Sequence, residues 1–214
     1  MVNTIIVIDD HPLFRKGVAD LIAMEEALRL VGEAADGASG IELALRTHPD
    51  LVLLDLNMKG MDGLKTLRVL KESDLDARII MLTVSDHEED VVTALRAGAD
   101  GYLLKDMEPE DILHCLRQAT RGRLVISENL TELLAHALRD EVKPSTANEA
   151  GLTPREEEIL GLIAKGYSNK LIARELDISV GTIKVHVKHL LKKLRLRTRV
   201  EAAVWAISGR QENG

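Results

Sequence analysis

Five times in the first 120 residues, a short apolar run is followed by a longer stretch with apolar residues at helical spacing. The short runs are TIIVI (4–8), RLVGE (29–33), LVLL (51–54), RIIML (78–82) and GYLL (101–104). The amphipathic stretches are residues 12–26, 38–47, 62–73, 86–97 and 108–121. Unbroken or alternating apolar runs of this length read as strands, and the 3.6-residue period reads as helix. Successive parallel strands need a crossover, and here each crossover has a helix available. The pattern therefore predicts an α/β domain: a doubly wound, five-stranded parallel sheet with helices on both faces. With one Phe, one Trp and two Tyr in 214 residues, its core must be built from Leu, Ile, Val and Ala.

Beyond residue 121 the pattern changes. Ser127 reads as the cap of a further helix running to about Arg139, and DEVKPSTANEAG (140–151) has no periodicity and reads as a linker. Thr153-Pro154-Arg155-Glu156 then carries a helix start, with Thr as N-cap, Pro at the first helical position and Glu completing a capping box. Ser168, Ser179 and Thr198 open three more helices. These boundaries predict a first domain over 1–124, a linker helix and flexible linker over 125–151, and an all-α, four-helix domain over 152–214.

Charge divides the same way. Of 28 Lys and Arg and 35 Asp and Glu, 12 and 7 lie in residues 152–214, which leaves 16 and 28 before them. An acidic first part (−12) and a basic last part (+5) point to a polyanion as partner of the second domain. The start MVNTIIVIDD lacks the basic and apolar regions of a signal peptide, and no run is long enough to span a membrane. The single cysteine, Cys115, sits in a helical pattern and reads as a small buried apolar residue. A soluble cytoplasmic protein is expected, with no membrane partner.

Polar residues follow the apolar runs at once: Asp9 and Asp10, then Asp55, Thr83 and Lys105. In a doubly wound sheet the carboxyl ends of the strands share one edge, and ligands bind there. Three acids that converge repel one another unless a cation shares the site, and a hard, all-oxygen set suits Mg²⁺. Lys105 and the Thr83 hydroxyl add donors for a group with several anionic oxygens, which a phosphoryl group satisfies. The chain has neither GxGxxG nor GxxxxGK[ST], so a nucleotide is disfavoured and a carboxylate of the protein itself becomes the acceptor. Ser85 competes with Thr83, but Ser85 and Glu88 have capping-box spacing for the helix starting near 86. His11, followed by Pro12, reads as a helix start rather than a base.

The segments IDDHPLFRKGV, LLDLNMKGMDGL, LTVSDHEED and AGADGYLLKD resemble the flavodoxin-like receiver domain of bacterial response regulators. The resemblance implies that Asp55 is the phosphorylated residue and that Asp10, Asp55 and the Asn57 carbonyl bind Mg²⁺ with help from Asp9. It implies that Thr83 and Lys105 hold the phosphoryl oxygens, and that Tyr102 is an aromatic switch coupled to Thr83. By its setting on an apolar strand alone, Tyr102 would read as a packed core residue. Many receivers have proline after the lysine; here Asp106 follows. Haloacid-dehalogenase phosphatases also use an aspartate at a strand end, but they need a second aspartate two residues on, where this chain has Asn57. The resemblance thus implies a signalling site and not an enzyme acting on outside substrates. A ligand-gated regulator would need an apolar cavity in place of the acidic edge.

In the last domain, SNKLIARELDISVGTIKVHVKHLLKKLR (168–195) splits into a short helix, a turn and a longer helix. Ile183, Val187, Leu190, Leu191 and Leu194 share one face of the longer helix; Lys184, Lys188 and Lys192 share another, beside Val185. No acid occurs from Ser179 to Arg195, and an all-positive stripe needs an anionic partner. Helix-turn-helix geometry lays such a helix in the major groove of double-stranded DNA. Lys184 and Lys188 would meet guanine edges and Val185 a thymine methyl, while Lys192, Lys193 and the Thr198-Arg199 helix start would meet phosphates. LTPREEEILGLIAKGYSNKLIARELDISVGTIKVHVKHLLKKL resembles the four-helix DNA-binding domain of the LuxR and FixJ regulators. That resemblance implies inverted half-sites, a homodimer on phosphorylation by a sensor histidine kinase, and a receiver that covers the recognition helix until then. HEEDVVTALRAGADGYLLKDMEPEDIL and TRVEAAVW resemble the nitrate- and nitrite-responsive branch, which implies genes of anaerobic respiration as targets.

Overall fold

The computed structural model describes residues 2–73, 75–84, 87–121, 123, 125, 144 and 149–211. It divides into two compact units, Met1–Thr120 and Arg121–Gly214. The helix expected over 127–139 and nearly all of the linker 140–151 lie outside the described residues.

The first unit alternates strand and helix as the periodicity demands: β1 Asn3–Ile8, α1 Pro12–Ala23, β2 Leu28–Ala34, α2 Gly37–Thr47, β3 Leu51–Leu54, α3 Gly63–Glu72, β4 Arg78–Thr83, α4 Glu88–Arg96, β5 Gly101–Leu104 and α5 Pro109–Thr120. All pairings are parallel, in the order β2-β1-β3-β4-β5. Ile5 to Ile8 and Leu51 to Leu54 are wholly buried, as central strands covered on both faces must be. Burying one such side chain fully contributes about 1.5–3 kcal/mol. Leu67 and Leu70 of α3 and Leu116 of α5 complete the helical side of that core.

Helix ends follow from local chemistry. Asp36 and Asp62 accept hydrogen bonds from the amides of Ser39 and Lys65, so they cap α2 and α3. The α4 start differs from expectation. Its N-cap is His87, which makes no side-chain capping bond, and the helix begins at Glu88, two residues later than a cap at Ser85 would place it. Ser85 itself lies outside the described residues.

From residue 152 on, the described residues of the second unit form four helices: α6 Pro154–Ala164, α7 Asn169–Glu175, α8 Val180–Leu194 and α9 Arg199–Gln211. The capping box of α6 forms as expected: the Glu156 amide donates to Thr153 Oγ1 at 3.3 Å and the Thr153 amide donates to Glu156 Oε2 at 2.8 Å. Ser168, Ser179 and Thr198 accept the corresponding amide bonds at the other three starts. Ile159, Ile172, Ile183, Leu190, Leu194 and Val204 are buried together as the core. Asp177, with φ of 51°, turns the chain between α7 and α8.

Candidate functional site

The sheet order reverses at β1, so β2 and β3 leave it on opposite sides, and β1 and β3 run side by side with Ile8 opposite Leu54. Their next residues, Asp9 and Asp55, therefore emerge as neighbours at the topological switch point. The Asp55 amide donates to Ile8 O at 2.9 Å, which continues the ladder one step into the site. Both carboxylates are only 2% exposed. Gly63 explains how α3 starts so close by: a Cβ there would stand 2.1 Å from Asp55 O and 2.7 Å from Leu56 Cα. Only glycine permits that approach.

Lys105 reaches the same point from the end of β5. Its Nζ stands 2.7 Å from Asp9 Oδ2 and 2.9 Å from Asp55 Oδ2, and 4.8 Å above the centroid of the Phe14 ring. Its amide donates to Thr83 O at 2.8 Å, which ties the end of β5 to the end of β4. Asp10 lies at the outer side, where its Oδ2 accepts from the Lys59 amide at 3.2 Å. Asp9 Oδ1 accepts from the His11 amide at 2.8 Å, and Asp55 Oδ1 accepts from the Asn57 amide at 3.3 Å. Thr83 is fully buried as the last residue of β4, and Tyr102 is buried on β5 opposite Met81.

Burial pushes the Asp55 carboxyl above the usual carboxylate range; Lys105 opposes the shift and Asp9 adds to it. Asp10 Oδ1 and Asp55 Oδ2 are buried and make no hydrogen bond among the described residues. Asp55 Oδ2 has the Lys105 ammonium at ion-pair distance but without hydrogen-bond geometry. Ligand atoms of Asp9, Asp10, His11 and Asp55 all fall within 4.8 Å of one another. Three carboxylates share this edge, Lys105 pairs with only two of them, and Asp10 Oδ1 and Asp55 Oδ2 accept no hydrogen bond among the described residues; such a set suits a hard divalent cation.

The strand-end residues Asp9, Asp10, Asp55 and Lys105 thus meet, with Thr83 one strand away. Three neighbours escape a reading of strand ends. Phe14 stacks on Lys105, Arg15 Nη1 donates to Asp9 O at 2.6 Å, and the His11 ring lies against the acids. His11 is the N-cap of α1, Phe14 and Arg15 lie in its first turn, and the IDDHPLFR run is their only signal in the sequence.

In the second unit, Ile183, Val187, Leu190 and Leu194 face the core while Leu191 is half-buried. On the other side of α8, Val185 (53% exposed), Lys188 and Lys192 face solvent and Lys184 is half-buried. Lys193 differs from its neighbours. Its Nζ stands 2.6 Å from Glu156 Oε2 and donates to Gly151 O at 2.9 Å, so it clamps α8 to the α6 cap. Burial opposes the Glu156 charge, but Lys193 and the Thr153 bonds outweigh it and hold that carboxyl below its usual range. Thr198 is buried in its cap, and Arg199 Nη1 donates to Asn169 Oδ1 at 2.8 Å, so these residues also serve the domain itself.

Residues 5–117 match the response regulator receiver domain, and residues 150–206 match the luxR family of bacterial regulatory proteins. The chain belongs to the response regulators that join a receiver to a LuxR-type DNA-binding domain. It is 59% identical over 202 residues to the nitrate/nitrite response regulator protein NarL of Escherichia coli K12, which covers 94% of each chain. It is 46% identical over 200 residues to NarP, the nitrate/nitrite response regulator of the same strain, with 94% of this chain and 92% of that protein covered. Among solved structures it resembles RcsB in its DNA complex, at 25% identity and a TM-score of 0.58, covering 97% of this chain and 99% of that one.

Proposed function

We propose that this response regulator receives a phosphoryl group on Asp55 from a sensor histidine kinase and thereby controls DNA binding at nitrate- and nitrite-responsive promoters. The single observation that carries the reading is the Asp55 carboxylate: buried at a strand end, flanked by Asp9 and Lys105, and on the same chain as a solvent-facing basic helix.

An Asp55 oxygen attacks phosphorus, the new P–O bond forms as the P–N bond of phosphohistidine breaks, and the imidazole leaves with the electron pair. Lys105, already beside Asp55, pairs with the added charge of about −1.5 to −2. The Thr83 hydroxyl donates to a phosphoryl oxygen. Asp9, Asp10, Asp55 and the Asn57 carbonyl would hold Mg²⁺, which when bound neutralises phosphoryl oxygens. Asn57 offers no carboxylate to activate a water, so the phosphoryl group persists. Movement of Thr83 is transmitted to Tyr102, and the two-state receiver shifts.

The functional division is a receiver over 1–124, a linker over 125–151 and a DNA-binding domain over 152–214. Phosphorylation releases the last domain to dimerise on inverted half-sites, with Lys184, Val185 and Lys188 at base edges and Lys192 on phosphate. Among the described residues no helix is long and apolar enough to cross a membrane, in keeping with a cytoplasmic regulator.

Expression in a strain lacking its own nitrate regulators, beside a nitrate-sensing kinase and a nitrate-responsive reporter, tests the assignment. Nitrate-dependent reporter output with the wild type and none with Asp55→Asn supports it. Constitutive output from both, or none from either with protein present, refutes it.

A further inference from the structure

The His11 ring reaches past the helix start that it precedes, toward the acid cluster. Its Nδ1 stands 2.9 Å from Asp10 Oδ1, 3.4 Å from Asp9 Oδ1 and 3.9 Å from Asp55 Oδ2. The nearest of these atoms, Asp10 Oδ1, is one of the two buried oxygens without a hydrogen bond among the described residues. Lys105 occupies the inner side of the acid cluster, and His11, 67% exposed, occupies its mouth.

The backbone places the root of the His11 side chain at that mouth. Pro12 occupies the first turn of α1, His11 is the N-cap residue with φ −92° and ψ 104°, and its amide is tied to Asp9 Oδ1 at 2.8 Å. The spacing also suits shared coordination. Two cis ligands at about 2.1 Å from one ion lie about 3.0 Å apart, and opposite ones about 4.2 Å apart. The three His11 distances, 2.9 to 3.9 Å, fall in that interval.

We infer that His11 is a nitrogen ligand of the divalent-cation site, one that makes the site selective for imidazole-binding ions such as Ni²⁺ over Mg²⁺. The inference rests on the reading of Asp9, Asp10 and Asp55 as a cation site and adds a fourth, chemically different donor to it. Carboxylate and carbonyl oxygens suit Mg²⁺, whereas imidazole suits the later first-row divalent ions. Oxygen ligands alone would rank those ions too, so selectivity must be tested through His11 itself.

Titration calorimetry of tag-free full-length protein with NiCl2 and with MgCl2 makes the test, on the wild type and His11→Ala, with Ni²⁺ binding repeated in saturating Mg²⁺. The wild type shows a Ni²⁺ site that Mg²⁺ displaces. His11→Ala weakens that site by about tenfold or more while Mg²⁺ affinity stays within about threefold. Electron paramagnetic resonance with CuCl2 gives a second readout: nitrogen hyperfine structure from the Mg²⁺-displaceable ion in the wild type, absent in His11→Ala. Equal Ni²⁺ affinity in both proteins, or a parallel loss of Ni²⁺ and Mg²⁺ affinity, overturns the ligand role and leaves the cation site standing. A wild type with no Mg²⁺-displaceable ion at all overturns the cation site and this inference together.

Discussion

Lys105 Nζ lies within 3 Å of both Asp9 and Asp55, so one ammonium from the end of β5 serves two buried carboxylates from the ends of β1 and β3. The pairing holds together an edge that would otherwise repel itself, and it leaves Asp55 costly to ionise. A site arranged in this way gains from a ligand that brings positive charge.

Asp55→Asn should therefore stabilise the first unit near neutral pH, by about 1 kcal/mol. The sign follows from the raised carboxyl. Its ionisation penalises the folded state above the native value and not below the unfolded one. The gain should shrink as pH falls through the native value of Asp55 and vanish below the unfolded value. Scanning calorimetry of the full chain across pH 3–8, in the absence of divalent ions, measures it.

Asp100 provides the opposite case. Burial opposes its charge, but Lys71 Nζ at 2.5 Å, the nearby Arg78 and the Ile79 amide at 2.9 Å outweigh burial and lower its carboxyl. A lowered acid contributes stability above its unfolded value and loses it as pH falls through the native one. Lys71→Met should cost about 3 kcal/mol at neutral pH, and less as the medium is acidified through that range. Denaturant melts of both proteins at several pH values test this.

Gly63→Ala should be more damaging than its size suggests. The added methyl meets backbone atoms of residues 55 and 56, which cannot rotate away. A loss of about 3 kcal/mol is expected, with slower labelling of Asp55 by a small phosphodonor as the strand end shifts. A variant that melts and labels like the wild type would show that α3 moves freely relative to β3.

The lysines of α8 should separate by role. Lys188→Ala should lower affinity for the specific site by about 10- to 100-fold with little change on random DNA. Lys192→Ala should weaken both and reduce the salt slope by about 1. Lys193→Ala should chiefly destabilise the domain, because its ammonium is paired with the buried Glu156. Fluorescence anisotropy across salt concentrations, beside thermal melts, resolves the three.

Lys193 also marks where reading the sequence stops. On the helical wheel it adjoins the basic stripe, and nothing in its local spacing reveals that Glu156, 37 residues away, draws it back. The strand ends were legible because apolar runs followed at once by polar residues have one interpretation in a parallel sheet. Thus Asp9, Asp55 and Lys105 are found together as expected. Phe14 carries no sequence signal for its place over Lys105, and His11 beside the acids reads more simply as a helix start, because how the start of α1 leans over the edge is not local information. The capping spacing at Ser85 predicts an α4 start near 86, and the helix starts at Glu88 after the N-cap His87, since that spacing also recurs by chance.

The central claim is that Asp55 phosphorylation governs DNA binding by the second unit. Its most direct test is the affinity of the full-length chain for an inverted-repeat DNA, by anisotropy at fixed salt, with and without a small phosphodonor and Mg²⁺. The wild type should gain about tenfold or more in affinity on adding donor, while Asp55→Asn should not respond. Donor-independent affinity in the wild type, or an equal gain in Asp55→Asn, would contradict it.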